Sequence, residues 1–133
     1  MIVVDTNVIS YLLIAGPLTA LAQTAARKDQ WCAPLLWRSE FRNVLATCIR
    51  QQGLPVEEAR GLMRIAERLL WSSEFSVRSA VVLDCISHSN RSAYDCEFAG
   101  LAMDLGLRLV TTDDPIVQEF PTTAIHLRDY VST

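Results

Sequence analysis

The sequence predicts an α/β fold, a parallel sheet covered by helices on both faces, and three observations carry that expectation. Short apolar runs without polar alternation, such as Ile2-Val3-Val4, have the composition of strands buried on both faces. Segments with helical spacing separate them, so successive strands are joined by crossovers, as a parallel sheet requires. A length of 133 residues, half hydrophobic and a fifth charged, suits one domain over residues 1–133 with a single core.

The first strand, Met1 to Val4, ends at Asp5-Thr6-Asn7, all good helix caps, and a helix follows to about Ala15. Pro17 suits the first position of a second helix running to about Lys28, and Trp31 to Ala33 is the second strand. Pro34 is expected to open a third helix, striped by Trp37, Phe41, Val44, Leu45 and Cys48 and closed by Gly53. Pro55 starts a fourth helix with Leu62, Ile65, Ala66, Leu69 and Leu70 on one side. A weak strand at Phe75 to Val77 precedes a helix from Ser79 to Ser87, and Ser92 caps another that stops at Gly106. Leu107 to Val110 is a strand, Asp114-Pro115 begins a short helix, and Ala124 to Leu127 is the last strand. No repeat, low-complexity stretch or linker interrupts this order.

Charge and cysteine usage narrow the function classes. Twelve basic residues against 15 acidic ones leave −3, so the chain lacks the general basic excess of many nucleic-acid binders. Lys28 is the only lysine among the 12. Cys32, Cys48, Cys85 and Cys96 form no C-x-x-C pair, and His88 and His126 stand far apart, which argues against zinc and for reduced core thiols in a cytoplasmic protein. The uncharged run from Thr6 to Ala26 is broken by Gly16-Pro17 and diluted by polar residues, so neither a membrane span nor a signal peptide is expected. Its crowded apolar residues, Tyr11 to Ile14 with Leu18 and Leu21, are expected to leave an exposed apolar surface. A second such surface is expected on the fourth helix, at Leu62, Met63, Leu69, Leu70 and Trp71.

Four acids carry the chemistry. Asp5 and Asp113 follow strands, at the carboxyl ends where ligands of such sheets collect, while Glu40 and Asp95 sit on helices among apolar neighbours. Inward carboxylates are costly unless paired or bound to metal, and clustered ones raise one another's pKa. Oxygen donors in that arrangement suit Mg²⁺ or Mn²⁺, and a pair of such ions supports phosphodiester hydrolysis without histidine or a nucleophilic side chain. Each acid also has a structural role open to it. Asp5 can cap the first helix, and Ser92-Ala93-Tyr94-Asp95 matches a capping box. Glu40 can pair with Arg42 or Arg91, and Asp113 can be a turn residue beside a capping Asp114.

In these segments the sequence resembles the PIN-domain family, and within it the VapC-type toxins of bacterial toxin–antitoxin pairs. Residues 2–10, IVVDTNVIS, resemble the family's opening strand and first acid, and Ser39-Glu40-Phe41-Arg42-Asn43-Val44-Leu45 its glutamate-bearing helix. Residues 93–102, AYDCEFAGLA, resemble the third segment and Leu109-Val110-Thr111-Thr112-Asp113 the fourth. The resemblance spans essentially the whole chain. It implies a three-layer α/β/α sandwich with a central parallel sheet and an Mg²⁺- or Mn²⁺-dependent endoribonuclease in which Asp5, Glu40, Asp95 and Asp113 are catalytic and bind the metal. Thr6, Asn7 and Thr112 stand where polar neighbours of those acids are expected. It also implies an RNA substrate, a homodimer and a cognate antitoxin laid in an apolar groove. The family pattern has one acid where this chain has Asp113-Asp114, so which aspartate faces the site is left open.

Two divalent ions would turn −3 into +1, so a metal-loaded site attracts phosphate that the metal-free protein repels. A catalytically silent PIN-like RNA- or protein-binding module is the main rival. A phosphoaspartyl hydrolase would need an acid where Asn7 stands, and a Rossmann nucleotide binder would need a glycine-rich loop after the first strand. Too few aromatics stand beside the acids in sequence to argue for base recognition by stacking.

Overall fold

A computed structural model describes all of residues 1–133. The chain runs β1 (Ile2–Val4), α1 (Thr6–Leu13), α2 (Thr19–Lys28), β2 (Trp31–Pro34), α3 (Leu36–Gln52), α4 (Val56–Leu69) and β3 (Glu74–Phe75). It continues through α5 (Ser79–Ser87), α6 (Ala93–Leu105), β4 (Leu109–Thr111), α7 (Asp114–Glu119), β5 (Ala124–His126) and α8 (Leu127–Val131). All five strands are parallel, in the order β3-β2-β1-β4-β5, with Val3 level with both Cys32 and Leu109. Central strands β1, β2 and β4 are buried throughout, as their unbroken apolar runs require. Right-handed crossovers in this order place the helices preceding β3 on one face and α5 to α7 on the other. Accordingly α1 packs on α2 and α3, whereas α6 packs on α5 and lies against β1, β2 and β4. The expected three-layer α/β/α sandwich is the architecture observed.

Several element boundaries differ from expectation, for local reasons. Helix α2 starts at Thr19 rather than Pro17 because the Thr19 hydroxyl ties the turn, accepting from Gly16 N–H at 3.0 Å and donating to Tyr11 O at 2.7 Å. Pro34 closes β2 instead of opening α3. Ala33 and Leu35 donate to β3, so the missing N–H of Pro34 points to the other side, beyond the end of β1, and costs no ladder bond. Strand β4 begins two residues late because Leu107 belongs to the preceding helix cap, its N–H reaching Ala102 O at 2.8 Å around Gly106 at φ 66°. Helix α8 was not expected; His126 Nδ1 accepts from Arg128 N–H at 3.0 Å and caps it.

The two expected apolar surfaces are largely absent. Tyr11, Leu12, Leu13, Ile14, Leu21, Leu62, Met63 and Leu69 pack partly buried against the core, and Leu70 is fully buried. Only Trp71 of these stands out into solvent, and a groove of about 460 Å³ persists where Leu13 and Ile14 meet Leu54 and Leu62. No helix is long and apolar enough to cross a membrane.

Candidate active site

In a sheet ordered 3-2-1-4-5 the connections leave β1 and β4 in opposite directions, and a crevice opens beyond the carboxyl ends of that pair. Asp5 follows β1 and Asp113 lies two residues beyond β4, so both flank this crevice. Helices that follow or precede parallel strands begin at the same edge, which brings Glu40 in the second turn of α3 and Asp95 in the first turn of α6. All four acids line one cleft of about 700 Å³, with Tyr11 and Tyr94 among its walls.

Asp5 is buried and held on both carboxylate oxygens. Its Oδ1 accepts from Thr6 N–H at 2.8 Å, and its Oδ2 accepts from the Thr111 hydroxyl at 2.8 Å and from Asn7 Nδ2 at 3.3 Å. Capping therefore occupies one oxygen only, and the other is turned toward Thr111 and Asn7. Burial pushes the Asp5 pKa up to about 6 against the pull of these hydrogen bonds, with the charges of Glu40 and Asp95 adding to the rise. Glu40 does not pair with Arg42 or Arg91; its Oε1 accepts from the Thr6 hydroxyl at 2.7 Å. Desolvation raises its pKa first, and the charges of Asp95 and Glu97 raise it further.

Ser92 Oγ accepts from Asp95 N–H at 3.1 Å, which is half of a capping box; the Asp95 carboxylate makes no return bond to Ser92. Instead it faces Arg91 at 4.0 Å, and burial together with the charge of Asp113 raises its pKa despite that arginine. Arg91 is drawn toward Glu119, at 2.8 Å. Asp113, not Asp114, occupies the cap position of α7, yet its side chain makes no cap bond and lines the cleft, whereas Asp114 is exposed in the first turn.

Of the expected polar neighbours, Thr6 and Asn7 contact the acids directly, but Thr112 contributes only its backbone N–H to Asn7 Oδ1. The adjacent Thr111 does the work assigned to it. Its hydroxyl donates to Asp5 and accepts from Asp113 N–H at 3.0 Å, joining the loops after β1 and β4. Strand alternation contained the signal, since Thr111 and Asp113 fall on one side and Thr112 on the other. Ser10, Ser39 and Asn43 were likewise missed; they lie near Asn7 or Glu40 at helical spacing.

No three acidic, cysteine or histidine side chains are gathered closely enough to hold a metal ion as they stand. The donor set nevertheless fits a hard dication: all donors are oxygens, and burial and mutual repulsion leave Asp5, Glu40 and Asp95 holding protons more tightly than usual, a cost that a cation relieves.

A family model described as the PIN domain matches residues 2–120. Two solved structures share the fold: PAE2754 from Pyrobaculum aerophilum, at TM-score 0.78 and 18% identity over 98% of this chain and 92% of that one, and FitAcB from Neisseria gonorrhoeae, at TM-score 0.77 and 19% identity over 96% and 99%. No curated protein matches the chain.

Proposed function

The chain belongs to the PIN domain family, whose members are generally divalent-metal-dependent nucleases, and from that premise we propose that it is an Mg²⁺- or Mn²⁺-dependent endoribonuclease. The observation that carries this reading is the convergence of Asp5, Glu40, Asp95 and Asp113 on one cleft at the crevice between β1 and β4. A bound dication would polarise the scissile phosphate and lower the pKa of its water. The chain's own residues prepare for it. Thr6 N–H and the Thr111 hydroxyl prevent the Asp5 carboxylate from rotating, while the Thr6 hydroxyl takes Oε1 of Glu40 and leaves Oε2 unclaimed. Tyr94, the neighbour of Asp95 in sequence and 63% exposed in the cleft wall, and Tyr11, six residues after Asp5, are available to stack on a nucleobase.

The deciding experiment titrates Mg²⁺ and Mn²⁺ in cleavage of total RNA, with Asp5→Asn as control. Metal-dependent cleavage lost in the variant supports the reading; equal cleavage by both proteins, or none by either at any metal concentration, defeats it. The spread of the carboxylates favours one rival, a catalytically silent PIN-like binding module, which predicts RNA binding or partner binding without cleavage.

The resemblance to VapC-type toxins extends the proposal to a toxin held by a cognate antitoxin in the cytoplasm, where four buried unpaired cysteines stay reduced. The groove of Leu13, Ile14, Leu54 and Leu62 suits an amphipathic antitoxin helix. Leu83 and Met103, 63% and 45% exposed on the adjoining α5 and α6, suit a self-complementary homodimer contact. Leu83→Arg should then convert a dimer to a monomer in sedimentation, and an unmodified protein that is already monomeric refutes that contact.

A further inference from the structure

Away from the carboxylate cleft, the carboxyl end of α4 forms a second cleft of about 500 Å³ lined by Arg38, Arg64, Glu67, Arg68 and Trp71. Trp71 is 76% exposed, the most exposed large apolar side chain in the molecule. Its position is built into the backbone. Ser72 sits at φ 60°, the one non-glycine residue in the left-handed region, between buried Leu70 and buried Ser73, so the turn sends its neighbours inward and the indole outward. Leaving an indole in water forgoes burial of one of the chain's largest apolar surfaces, which calls for an external partner.

The charges around that ring are sorted. Arg38 is clamped by Glu74 and Glu67, and Arg60 pairs with Glu57, whereas Arg64 and Arg68 pair with no carboxylate. Two free guanidinium groups beside an open aromatic face match a phosphate backbone with a stacked base, the chemistry of single-stranded nucleic-acid grooves. The cleft shares no lining residue with the site already described but lies across the start of α3 from it. Arg38 and Glu40 lie two residues apart on α3, roughly 200° around the helix, so only the starting turn of α3, about 10–12 Å across, separates the two clefts. Leu36 of that turn lines the carboxylate cleft, and Leu35 beside it is 49% exposed.

We infer that Arg64, Arg68 and Trp71 form a subsite for single-stranded RNA, which holds a flanking stretch of the strand whose phosphodiester lies among the four acids. This rests on the ribonuclease reading for its substrate class but binds RNA without metal. A purely acidic chain such as polyglutamate satisfies the arginines yet leaves the indole without a stacking partner.

The chain's three tryptophans make the test direct, because Trp31 and Trp37 are buried and Trp71 alone meets solvent. An unstructured oligouridylate of about ten nucleotides is titrated in chelator, where the acidic cleft repels phosphate and no cleavage intervenes. Saturable quenching of the solvent-exposed emission is expected. With a fluorophore on the same oligonucleotide, anisotropy should show binding weakened roughly tenfold or more by Trp71→Ala and far less by Trp71→Phe. Arg64→Ala and Arg68→Ala should each reduce the salt dependence of binding by about one ion. Unchanged emission, unchanged affinity in Trp71→Ala, or equal quenching by polyglutamate overturns the subsite. Metal-dependent cleavage without quenching leaves the nuclease reading standing and this one fallen; quenching without cleavage does the reverse.

Discussion

At the scale of single residues, Asp5 pays for its position. Its pKa of about 6 in the folded chain exceeds the ordinary 3.8, so between these values the native state binds more protons than the unfolded one and stability falls as pH rises. Glu40, Asp95 and Glu97 are shifted the same way. Glu74 is shifted oppositely: Arg38 and the Trp37 N–H hold its carboxyl below the usual 4.5, so its contribution is present above 4.5 and lost as pH falls through its lowered pKa. Metal-free protein should therefore melt higher at pH 5 than at pH 7, and lower again below about pH 4, which thermal melts in chelator would show. Asp5→Asn should abolish cleavage yet raise the metal-free stability at pH 7, by at most about 3 kcal/mol less what its exchanged hydrogen bonds lose. A lower melting temperature in that variant means that capping and the Thr111 bond outweigh the buried charge.

Among elements, α5 and α6 pack tightly at Gly100. A Cβ on Gly100 would stand 3.0 Å from Val81 Cγ1, so this glycine permits the helix contact that carries Asp95 to the sheet edge. Gly100→Ala should cost about 1 kcal/mol in the unmodified chain and turn favourable by a similar amount in a Val81→Ala background, where helix propensity is no longer opposed by the clash. Denaturant unfolding of the four proteins measures the coupling; simple additivity refutes it. The short edge strand β3 relies on side chains more than on its two-residue ladder. Arg38 grips Glu74 through Nε at 2.6 Å and Nη2 at 2.9 Å, and Trp37 Nε1 donates to the same carboxylate at 2.6 Å. Glu74→Gln should cost about 1–3 kcal/mol at pH 7 and progressively less as pH falls below 4.5 through the lowered pKa of this carboxyl.

For the whole molecule, the test of the carboxylate cluster is linkage. A dication that binds only the folded chain raises its stability by about 2.7 kcal/mol at a hundred times its dissociation constant, so Mg²⁺ or Mn²⁺ should lift the melting temperature and Asp5→Asn should blunt that rise. A melting curve indifferent to both ions counts against metal at this site. RNA binding through the two free arginines of α4 should also weaken with salt, by about one released ion per arginine, and more steeply with metal bound than without it, because the loaded carboxylate cleft adds attraction where the empty one adds a repulsion that salt screens.

Local chemistry by itself determined the order of the strands and of every helix but α8, the parallel sheet, the glycine caps at Gly53 and Gly106, and the four acids as candidates, because periodicity, capping and the cost of inward charge are readable from neighbours a few residues apart. Only the tertiary structure decided which strands lie side by side. Placing β4 against β1 is what brings Asp113 across from Asp5 and lets one Thr111 hydroxyl serve both, a contact over 106 positions of sequence. It likewise decided that Leu70 turns inward and Trp71 outward, and that most apolar residues of α1 and α4 are spent on the core. Those outcomes depend on burying the whole chain's apolar surface at once, a sum over distant pairs that no local window contains.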